Sequence, residues 1–436
     1  MRLSGKIASQ EAVIGVIGLG YIGLQLLDVF GRRGFRLVGY DCDRAKIASL
    51  KRGHSMMNFL PLPELFRLQE EGRFRVAANP DILHAADVLF ICVPTSLDRH
   101  MVPNFSSLRS AFQTVADHLH RDQLVVLQST TYPGTTEEEL LPILEKKGEV
   151  GKDYYLAYVP EISDPGNLEY DFTSIPRIVS GVTPQCLEMV KMLYQKIGCQ
   201  EFPCRSPRVA EAAKIFTNAY RLINISFVNE MKMMFDHMGM DVWEVIEAAS
   251  SKPFGFTAFY PGPGAGGDCI PVDPNYLVWK AKESAGPVSM IELASNINQV
   301  IPHYVVDKVI QGLAKHKQAI QGAQILLLGV GFKKDVNGLQ ESASLKLLSL
   351  LQKEGAAVSY HDPYIAELYP SERYPQMDMK SASLEYEKLG NYDAVVIATD
   401  HSIYDVEKIV QYSTVVIDTR NVTAKVAGAE KKVVKA

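Results

Sequence analysis

Apolar residues in the first third of the chain form short continuous runs separated by stretches at helical spacing. The runs cover residues 12–18, 36–40, 87–93 and 124–128, and residues 22–33 repeat apolar positions with the period of a helix. Short, nearly continuous apolar runs are typical of parallel strands that are covered on both faces. The alternation therefore predicts a doubly wound parallel sheet in this part of the chain.

The middle third has a different pattern. Between residues 207 and 250 apolar residues recur at helical spacing, which predicts one or two long helices. Residues 254–274 are rich in glycine and proline, and a segment of this length is typical of a functional loop. Helical spacing then resumes from residue 276 to about residue 317.

Alternation of strands and helices returns in the last third. The predicted elements are strands at 323–331, 357–360, 394–398 and 415–418 and a helix at 342–353. The whole pattern predicts an α/β protein with two Rossmann-like doubly wound domains joined by a long central helical region. The expected domain boundaries are 1–206, 207–317 and 318–436. The runs GVIGLG near the start and LLLGVGF near residue 330 are similar, but two unrelated α/β domains would share such runs.

Composition narrows the classes of function. The chain has 436 residues, of which 47% are hydrophobic and 22% charged, so two or three folded domains are expected. Its net charge of −5 offers no basic excess, so we expect no nucleic-acid partner. No apolar run reaches the roughly 18 residues of a membrane span, so no membrane partner is expected. Six dispersed cysteines without paired spacing favour a reducing cytoplasm.

A glycine motif follows the first predicted strand and opens the first predicted helix. It reads Gly18-Leu-Gly20-Tyr21-Ile22-Gly23, in which glycines permit a tight turn, approach of a pyrophosphate and close packing of helix on strand. Asp41 ends the second predicted strand, where a carboxylate accepts hydrogen bonds from an adenosine ribose and disfavours a 2′-phosphate. The motif predicts an NAD site. The alternative is a Rossmann turn that binds nothing.

Cys269 lies in the glycine-rich segment PGPGAGGDCIPVD. Glycines there let the main chain approach a ligand, and a cysteine so placed is a candidate nucleophile, with Asp273 four residues further on. The alternative is a cysteine that packs as a small apolar residue. Asp268 opposes the nucleophile hypothesis, because an ionised carboxylate nearby disfavours a thiolate.

Three further positions are candidates for chemistry. Lys214 and Asn218 are four residues apart in a predicted helix, so they share a face and can stabilise an oxyanion. Thr130 follows a strand end in STTYPG, where open α/β sheets bind ligands. Glu161 follows another apolar segment and is a candidate acid or base. For each of these residues the alternative is a role without chemistry, as a solvated side chain or as a turn residue.

Metal and phosphoryl-transfer motifs are not found. The sequence has neither a GxxxxGK[ST] loop nor HExxH or paired-cysteine spacing, so no metal is expected. The pair His118-x-His120 lies in a polar stretch and is predicted to belong to a solvated helix.

Together these motifs resemble the UDP-sugar 6-dehydrogenases, which act on UDP-glucose, UDP-N-acetylglucosamine and UDP-N-acetylmannosamine. The resemblance rests on GVIGLGYIGL, VPT at 93–95, QSTTYPGTT, the Lys214/Asn218 helix, KPFGF…PGPGAGGDCIPVDP and GVGFKKD, and it extends from about residue 13 to 421. GRFRV at 72–76, DPGN at 164–167 and KPFGF at 252–256 resemble the branch that acts on UDP-N-acetylhexosamines, especially UDP-N-acetylglucosamine.

The resemblance implies an N-terminal NAD-binding Rossmann domain, a central dimerisation region carrying the catalytic cysteine loop, and a C-terminal α/β domain for the UDP-sugar. It implies oxidation of the C6 alcohol to a carboxylate through a thiohemiacetal and a thioester on Cys269, for a surface polysaccharide. Lys214 and Asn218 would stabilise the oxyanion, Asp273 and Thr130 would position water, and Glu161 would be the acid/base partner. The residues implied to contact cofactor or substrate further include Thr95, Phe259, Gly266 and Lys333.

Five positions depart from the family pattern. Ile162 and Gln340 stand where relatives usually carry arginine, and Asp268 stands where histidine or serine is usual. Asn337 and Gly338 also replace common acids. The alternatives to the leading hypothesis are therefore a UDP-glucose 6-dehydrogenase and a catalytically impaired protein that binds UDP-sugar or NAD.

The central helix predicts self-association. Its apolar stripe from about residue 209 to 238 is wider than one intramolecular contact needs, and Phe227 is expected to face outward. We expect a homodimer or a higher even oligomer, in which a second copy covers the stripe. The alternative is that the loop 254–274 and the two α/β domains cover it within one chain.

Overall fold

The computed structural model describes residues 2–55, 60–98, 102–163, 169–170 and 172–436. The motif DPGN at 164–167 lies outside the described residues. The chain forms two compact units, the first comprising Met1–Thr217 with Trp279–Gly286 and the second Asn218–Val278 with Pro287–Ala436. The expected division into three domains stays a prediction.

Unit 1 is built on an eight-stranded sheet. The strands are β1 (Val13–Ile17), β2 (Arg36–Tyr40), β3 (Phe74–Ala77), β4 (Val88–Ile91), β5 (Leu124–Leu127), β6 (Tyr155–Tyr158), β7 (Arg177–Gly181) and β8 (Glu201–Pro203). Their order across the sheet is β8-β7-β6-β5-β4-β1-β2-β3. Among the described strands of this sheet, β6 pairs with β7 antiparallel and all other neighbours pair parallel.

Helices cover both faces of this sheet. They are α1 (Leu3–Ala8), α2 (Tyr21–Arg32), α3 (Arg44–Lys51), α4 (Pro63–Glu70), α5 (Ser106–His118), α6 (Leu141–Leu144) and α7 (Pro184–Lys196). A π-helical turn (Thr136–Leu140) and 3₁₀ turns (Pro80–Ala85, Glu145–Lys147) lie between them, and residues 96–97 and 103–104 form a small hairpin. Two buried apolar clusters flank the sheet, as expected for strands covered on both sides.

Unit 2 contains a five-stranded parallel sheet. Its strands are β9 (Gln324–Leu328), β10 (Ala357–His361), β11 (Ala394–Ile397), β12 (Val416–Asp418) and β13 (Val433–Lys435), in the order β10-β9-β11-β12-β13. Helices α12 (Ala343–Lys353) and α13 (Val406–Tyr412), 3₁₀ turns (Tyr386–Asn391, Ala429–Lys431) and a hairpin (Glu367–Leu368, Met379–Lys380) complete it. Apolar clusters again cover both faces of the sheet.

The central region is helical, as predicted. It consists of α8 (Pro207–His237), α9 (Val242–Ser250), α10 (Asp273–Ser284) and α11 (Ser289–Lys315), and the boundary between the units falls within α8 and α10. The predicted fold class is therefore confirmed. Among the described residues, no helix combines the length and apolar character needed to cross a bilayer.

Both units build the first strand–helix turn in the same way. Gly18 has φ +92° and donates its N–H to the Tyr40 carbonyl, and Gly329 has φ +82° and donates to the His361 carbonyl, both at 2.9 Å. The next residue in each unit donates to a carboxylate that ends the second strand, Asp41 in unit 1 and Asp362 in unit 2. The similar sequence runs near residues 15 and 330 therefore correspond to one repeated local structure.

Candidate active site

The glycine turn of unit 1 has the geometry that its sequence predicts. A Cβ at Gly18 would lie 2.6 Å from the Cys92 carbonyl oxygen, and one at Gly23 would lie 2.0 Å from the Gly18 carbonyl oxygen. A Cβ at Gly20 would meet nothing within 4 Å, so open space lies beside this residue. Gly20 is also the N-cap of α2 and brings no side chain to cap the first turn. The turn therefore fits a pyrophosphate at a helix N-terminus.

Asp41 is fixed at the end of β2. One carboxylate oxygen accepts the Leu19 N–H at 2.9 Å and the other accepts the Asp43 N–H at 2.9 Å. Lys46, which the sequence reasoning missed, forms an ion pair with Asp41 at 2.7 Å. The carboxylate therefore holds the glycine turn, while each oxygen can accept more than one hydrogen bond and so remains able to receive a ribose hydroxyl.

Two predicted threonines meet at the carboxyl ends of β4 and β5. The Thr95 hydroxyl donates to the Thr130 carbonyl at 2.8 Å, and the neighbouring Ser129 hydroxyl donates to the Val93 carbonyl at 2.8 Å. These bonds join the loops that follow two adjacent strands. The structure thus brings Thr95 and Thr130 to the sheet edge at which open α/β folds bind ligands.

Glu211 on α8 fixes the rest of the Thr130 loop, and the sequence reasoning missed it. Its fully buried carboxylate accepts the Gly134 N–H, the Thr136 N–H and the Thr136 hydroxyl at 2.5–2.8 Å. Burial raises the pKa of Glu211 to about 7, although these hydrogen bonds lower it. Its partners lie 75 to 77 residues away in sequence, so only the folded structure could identify them.

Glu161 is buried and fully engaged. Its carboxylate accepts hydrogen bonds from Arg177 at 2.8 Å, from the Gln128 amide at 3.0 Å and from the Ser163 N–H at 2.6 Å. Burial raises the pKa of this group, but the Arg177 charge and the hydrogen bonds outweigh it and hold the pKa below its usual value. A carboxyl group of this kind donates a proton poorly at neutral pH, so within the predicted acid/base role it suits accepting better than donating a proton.

Lys214 and Asn218 lie one turn apart on α8 and are both buried, so neither is a solvated surface residue. Asn218 belongs to unit 2, where its amide donates to the Asp273 carboxylate at 2.5 Å. Asp273 is the first residue of α10. The bond therefore connects the middle of α8 to the start of α10, at the residue that follows the cysteine loop.

Cys269 precedes α10 in that loop. Its carbonyl oxygen accepts the N–H of Asp273 at 2.9 Å, so the cysteine forms the turn that leads into the helix. The Cys269 side chain is exposed, which does not fit the alternative of a cysteine packed as a small apolar residue. A thiol at a helix N-terminus is well placed for thiolate stabilisation.

The glycines before Cys269 let the loop lie against its neighbours in unit 2. Gly267 has φ +87° and donates its N–H to the Gln340 carbonyl at 2.8 Å. A Cβ at Gly266 would lie 2.9 Å from the Glu341 carbonyl oxygen and 2.9 Å from the Phe332 Cβ. The loop therefore requires glycine at 266 for packing. The family resemblance implies, in addition, that Gly266 contacts the substrate.

The remaining predicted substrate residues also lie in unit 2. Lys333 follows Phe332 on the loop after β9, so it is adjacent in sequence to the residue that packs on Gly266. Phe259 is partly buried and forms an edge-on ring contact with Tyr220 of α8 at 5.8 Å between centroids. Their roles in binding stay predictions.

Asp268 adds a titratable group directly before the nucleophile candidate. Desolvation by the surrounding chain, together with the charge of Glu341, raises the pKa of Asp268 to about 6, although part of the side chain reaches solvent. At neutral pH the group is therefore mostly ionised. It then opposes formation of the Cys269 thiolate.

The prediction of a solvated His118-x-His120 pair was wrong for His118. The His118 side chain is buried at the end of α5, and its ring packs against that of His84 at 4.6 Å between centroids. The polar neighbours in sequence concealed this, because α5 turns His118 inward with Val115 and Ala111.

A glycine turn that fits a phosphate, an acid after the second strand and a cysteine on a glycine-rich loop are typical of an NAD-dependent oxidoreductase. Models of the UDP-glucose/GDP-mannose dehydrogenase family match the chain in its NAD binding domain (residues 12–198), central domain (208–300) and UDP binding domain (326–425). The chain belongs to this family, and NAD is its cofactor.

Relatives with different sugar substrates share the fold. UDP-N-acetyl-D-glucosamine 6-dehydrogenase of Pseudomonas aeruginosa is 32% identical over 90% of this chain and 91% of its own length. The structure of a UDP-D-ManNAc dehydrogenase from Pyrococcus horikoshii has a TM-score of 0.84 at 29% identity, with 95% and 97% of the two chains covered. A UDP-glucose dehydrogenase from Pyrobaculum islandicum has the same TM-score at 25% identity, with 97% of each chain covered. Similarity of fold therefore does not select the sugar.

The two glycines of the turn predict separable effects of substitution. Gly20→Ala should leave thermal stability unchanged and weaken NAD binding by at least about tenfold, because its Cβ enters only the open space needed by the pyrophosphate. Gly23→Ala should lower the free energy of unfolding by about 1–3 kcal/mol, because its Cβ meets the main chain. Calorimetric titration with NAD and thermal unfolding measure the two. Equal loss of stability in both variants would contradict this assignment.

Asp268 predicts a shifted pH profile. Asp268→Asn removes a charge present above about pH 6, so the Cys269 thiolate should form more readily. The rising limb of kcat/KM against pH, and of Cys269 alkylation by iodoacetamide, should move by roughly half to one unit to lower pH. Glu341→Gln is the control, with a smaller shift in the same direction. Unmoved limbs in Asp268→Asn would show that the two side chains are not coupled.

Proposed function

We propose that this enzyme oxidises the C6 alcohol of a UDP-N-acetylhexosamine to the uronic acid, with UDP-N-acetylglucosamine as the first-choice substrate. The motifs at 72–76 and 252–256 and the Pseudomonas aeruginosa relative support this choice of sugar. The product would serve a surface polysaccharide, as the family resemblance implies.

The observation that best supports the proposed chemistry is the position of Cys269 in unit 2, close in the chain to Asp273, the partner of Asn218. The cysteine lies one helical turn before Asp273, whose carboxylate is held by Asn218. A nucleophile followed by a hydrogen-bonded acid and amide is what formation and hydrolysis of a thioester require. When bound at the glycine turn, NAD would supply the hydride acceptor, and two molecules of NAD would be reduced for each sugar oxidised.

In the proposed sequence, the first oxidation converts the C6 alcohol to an aldehyde. Cys269 Sγ adds to the aldehyde carbon to give a thiohemiacetal, and the second oxidation converts this to a thioester. Lys214 and Asn218 stabilise the negative charge on the former carbonyl oxygen. Water positioned by Asp273 and Thr130 then attacks the thioester, which releases the carboxylate and returns the thiol.

A substrate panel tests the proposal. Purified enzyme should reduce NAD with UDP-N-acetylglucosamine, and kcat/KM for this sugar should exceed the values for UDP-N-acetylmannosamine, UDP-N-acetylgalactosamine and UDP-glucose. Preference for UDP-glucose would replace the proposed sugar by the alternative. Binding of a UDP-sugar without NAD reduction at any pH would instead identify a catalytically impaired protein and overturn the proposal.

The exposed apolar side chains of unit 2 support a homodimer or higher even oligomer. On α8, Phe227 is 56% and Met234 42% exposed, and on α11 Met290 is 67% and Leu293 58% exposed. Large apolar side chains exposed along two long helices are typical of an interface between copies. A second copy would cover them through a two-fold axis.

We infer a cytoplasmic location. No disulfide joins any two of the described cysteines, and Cys92 and Cys186 are buried within unit 1 as ordinary core residues. A nucleophilic cysteine also functions only as a thiol, which a reducing compartment preserves.

Cys269→Ser tests the nucleophile. A serine hydroxyl is poorly ionised, so steady-state NAD reduction should fall by at least about 1,000-fold. Binding of the UDP-sugar should be retained, and mass spectrometry should detect a slowly hydrolysed ester on the introduced serine if the serine adds to the aldehyde. Cys204→Ser is the control, because Cys204 is buried in unit 1, and it should retain turnover. Normal turnover in Cys269→Ser would show that the cysteine is only structural.

Phe227→Asp tests the interface. An acid at this exposed position should split the oligomer, because a buried carboxylate in an apolar interface is costly. Light scattering measures the mass, and activity should fall with it. Ile403→Asp is the matched control, since Ile403 is 66% exposed and lies far along the chain from α8. A fully active monomer of the unaltered protein would refute self-association.

A further inference from the structure

Three potential metal ligands of unit 1 lie together outside the candidate active site. Asp81 and His84 belong to the 3₁₀ turn Pro80–Ala85, and His118 ends α5. In a 3₁₀ helix, side chains three residues apart eclipse each other, so Asp81 and His84 project in the same direction. One ligand atom from each of the three residues lies within 4.8 Å of the other two.

The hydrogen bonding of His118 leaves one ring nitrogen for a ligand. Its Nδ1 lies 2.8 Å from the Thr114 carbonyl oxygen, which can only accept, so Nδ1 carries a proton. The other nitrogen, Nε2, lies 3.5 Å from an Asp81 carboxylate oxygen. In the neutral ring that places a lone pair opposite a carboxylate oxygen. Both atoms therefore offer a lone pair to a cation that binds between them.

The surrounding contacts are those that orient metal ligands. A histidine ligand usually donates its second ring N–H to a carbonyl oxygen, as His118 does to Thr114, and a ligating carboxylate is usually hydrogen-bonded in turn. The Asn79 amide donates to the second Asp81 oxygen at 3.0 Å, and the Asp81 N–H donates to the Asn79 side-chain oxygen at 3.1 Å. Asp81 is thus held from one side, with its other oxygen directed at His118.

We propose that Asp81, His84 and His118 bind one divalent cation of the zinc class. Two imidazole nitrogens and one carboxylate oxygen suit Zn²⁺, Co²⁺ and Ni²⁺ better than Mg²⁺ or Ca²⁺, which prefer oxygen ligands. Asp81 and His84 are exposed, so water can complete a tetrahedral shell and the side chains can close on the ion by small rotations.

The position of the site indicates what the cation does. The 3₁₀ turn leads into β4 and the end of α5 leads into β5, so the three ligands lie at the amino ends of these strands. The glycine turn and Thr130 lie at the opposite, carboxyl edge of the same sheet. A cation here would join the 3₁₀ turn to α5 and stabilise unit 1 without contacting the nicotinamide or the sugar.

Metal titration of the chelator-treated enzyme tests the proposal. Calorimetry should show one equivalent of Zn²⁺ bound, Co²⁺ should give the visible absorption of a tetrahedral site, and Zn²⁺ should raise the unfolding temperature. The titrations are repeated in Cys269→Ser, so that binding to the thiolate is separated from binding to this site. NAD reduction should be unchanged by His84→Ala, which distinguishes failure of this proposal from failure of the proposed function.

Matched variants assign the ligands. His84→Ala and Asp81→Asn alter exposed residues and should leave the fold intact, while each weakens Zn²⁺ affinity by at least about 100-fold. Asn79→Ala should weaken it by about tenfold through the orientation of Asp81. His303→Ala removes an exposed histidine of α11 and should have no effect. No binding, or binding that His84→Ala leaves intact, would overturn the proposal.

Discussion

The loops at the carboxyl ends of the parallel strands depend on buried carboxylates that accept main-chain N–H groups. Asp41 holds the glycine turn, Glu211 the loop after β5 and Asp362 the loop after β9. A loop at this edge has no neighbouring strand to accept its N–H groups, and an unpaired buried N–H is costly. A carboxylate can accept several such bonds at once, so one side chain can fix a whole turn.

This arrangement explains why acids in this chain are poor indicators of acid–base chemistry. Glu161 is predicted to be an acid/base group, yet Arg177, Gln128 and Ser163 all donate hydrogen bonds to its carboxylate. Asp362 similarly accepts the N–H groups of Val330 and Gly331. Burial raises the pKa of Asp362, but the hydrogen bond and charge of His401 and the main-chain N–H groups together outweigh burial, so the pKa lies below its usual value. These groups remain ionised because the fold uses their negative charge.

The sequence was sufficient for elements that an apolar run or helical spacing defines. The strand predicted at 36–40 is β2 as found, and the helix predicted at 342–353 begins one residue later. It was not sufficient for β3, because Arg75 interrupts the apolar pattern on its solvent side, nor for β7, whose pairing with β6 is antiparallel. Glycine spacing predicted the turn at Gly18–Gly23. The partners of Glu161 and Glu211 were out of reach, because tertiary folding alone brings them together.

The departures from the family pattern can be weighed by the atoms that the fold uses. Gln340 lacks the charge of the usual arginine, but its carbonyl still accepts the Gly267 N–H and so still holds the loop that carries Cys269. Ile162 stands next to a carboxylate that Arg177 already neutralises, so the charge lost at 162 is not needed to keep Glu161 ionised. Asp268 differs from both, because its effect is electrostatic and acts at the residue that precedes the thiol. A main-chain hydrogen bond survives a change of side chain, whereas a new charge beside a nucleophile directly affects the ionisation of the thiol. Of these three departures, Asp268 therefore bears most directly on turnover.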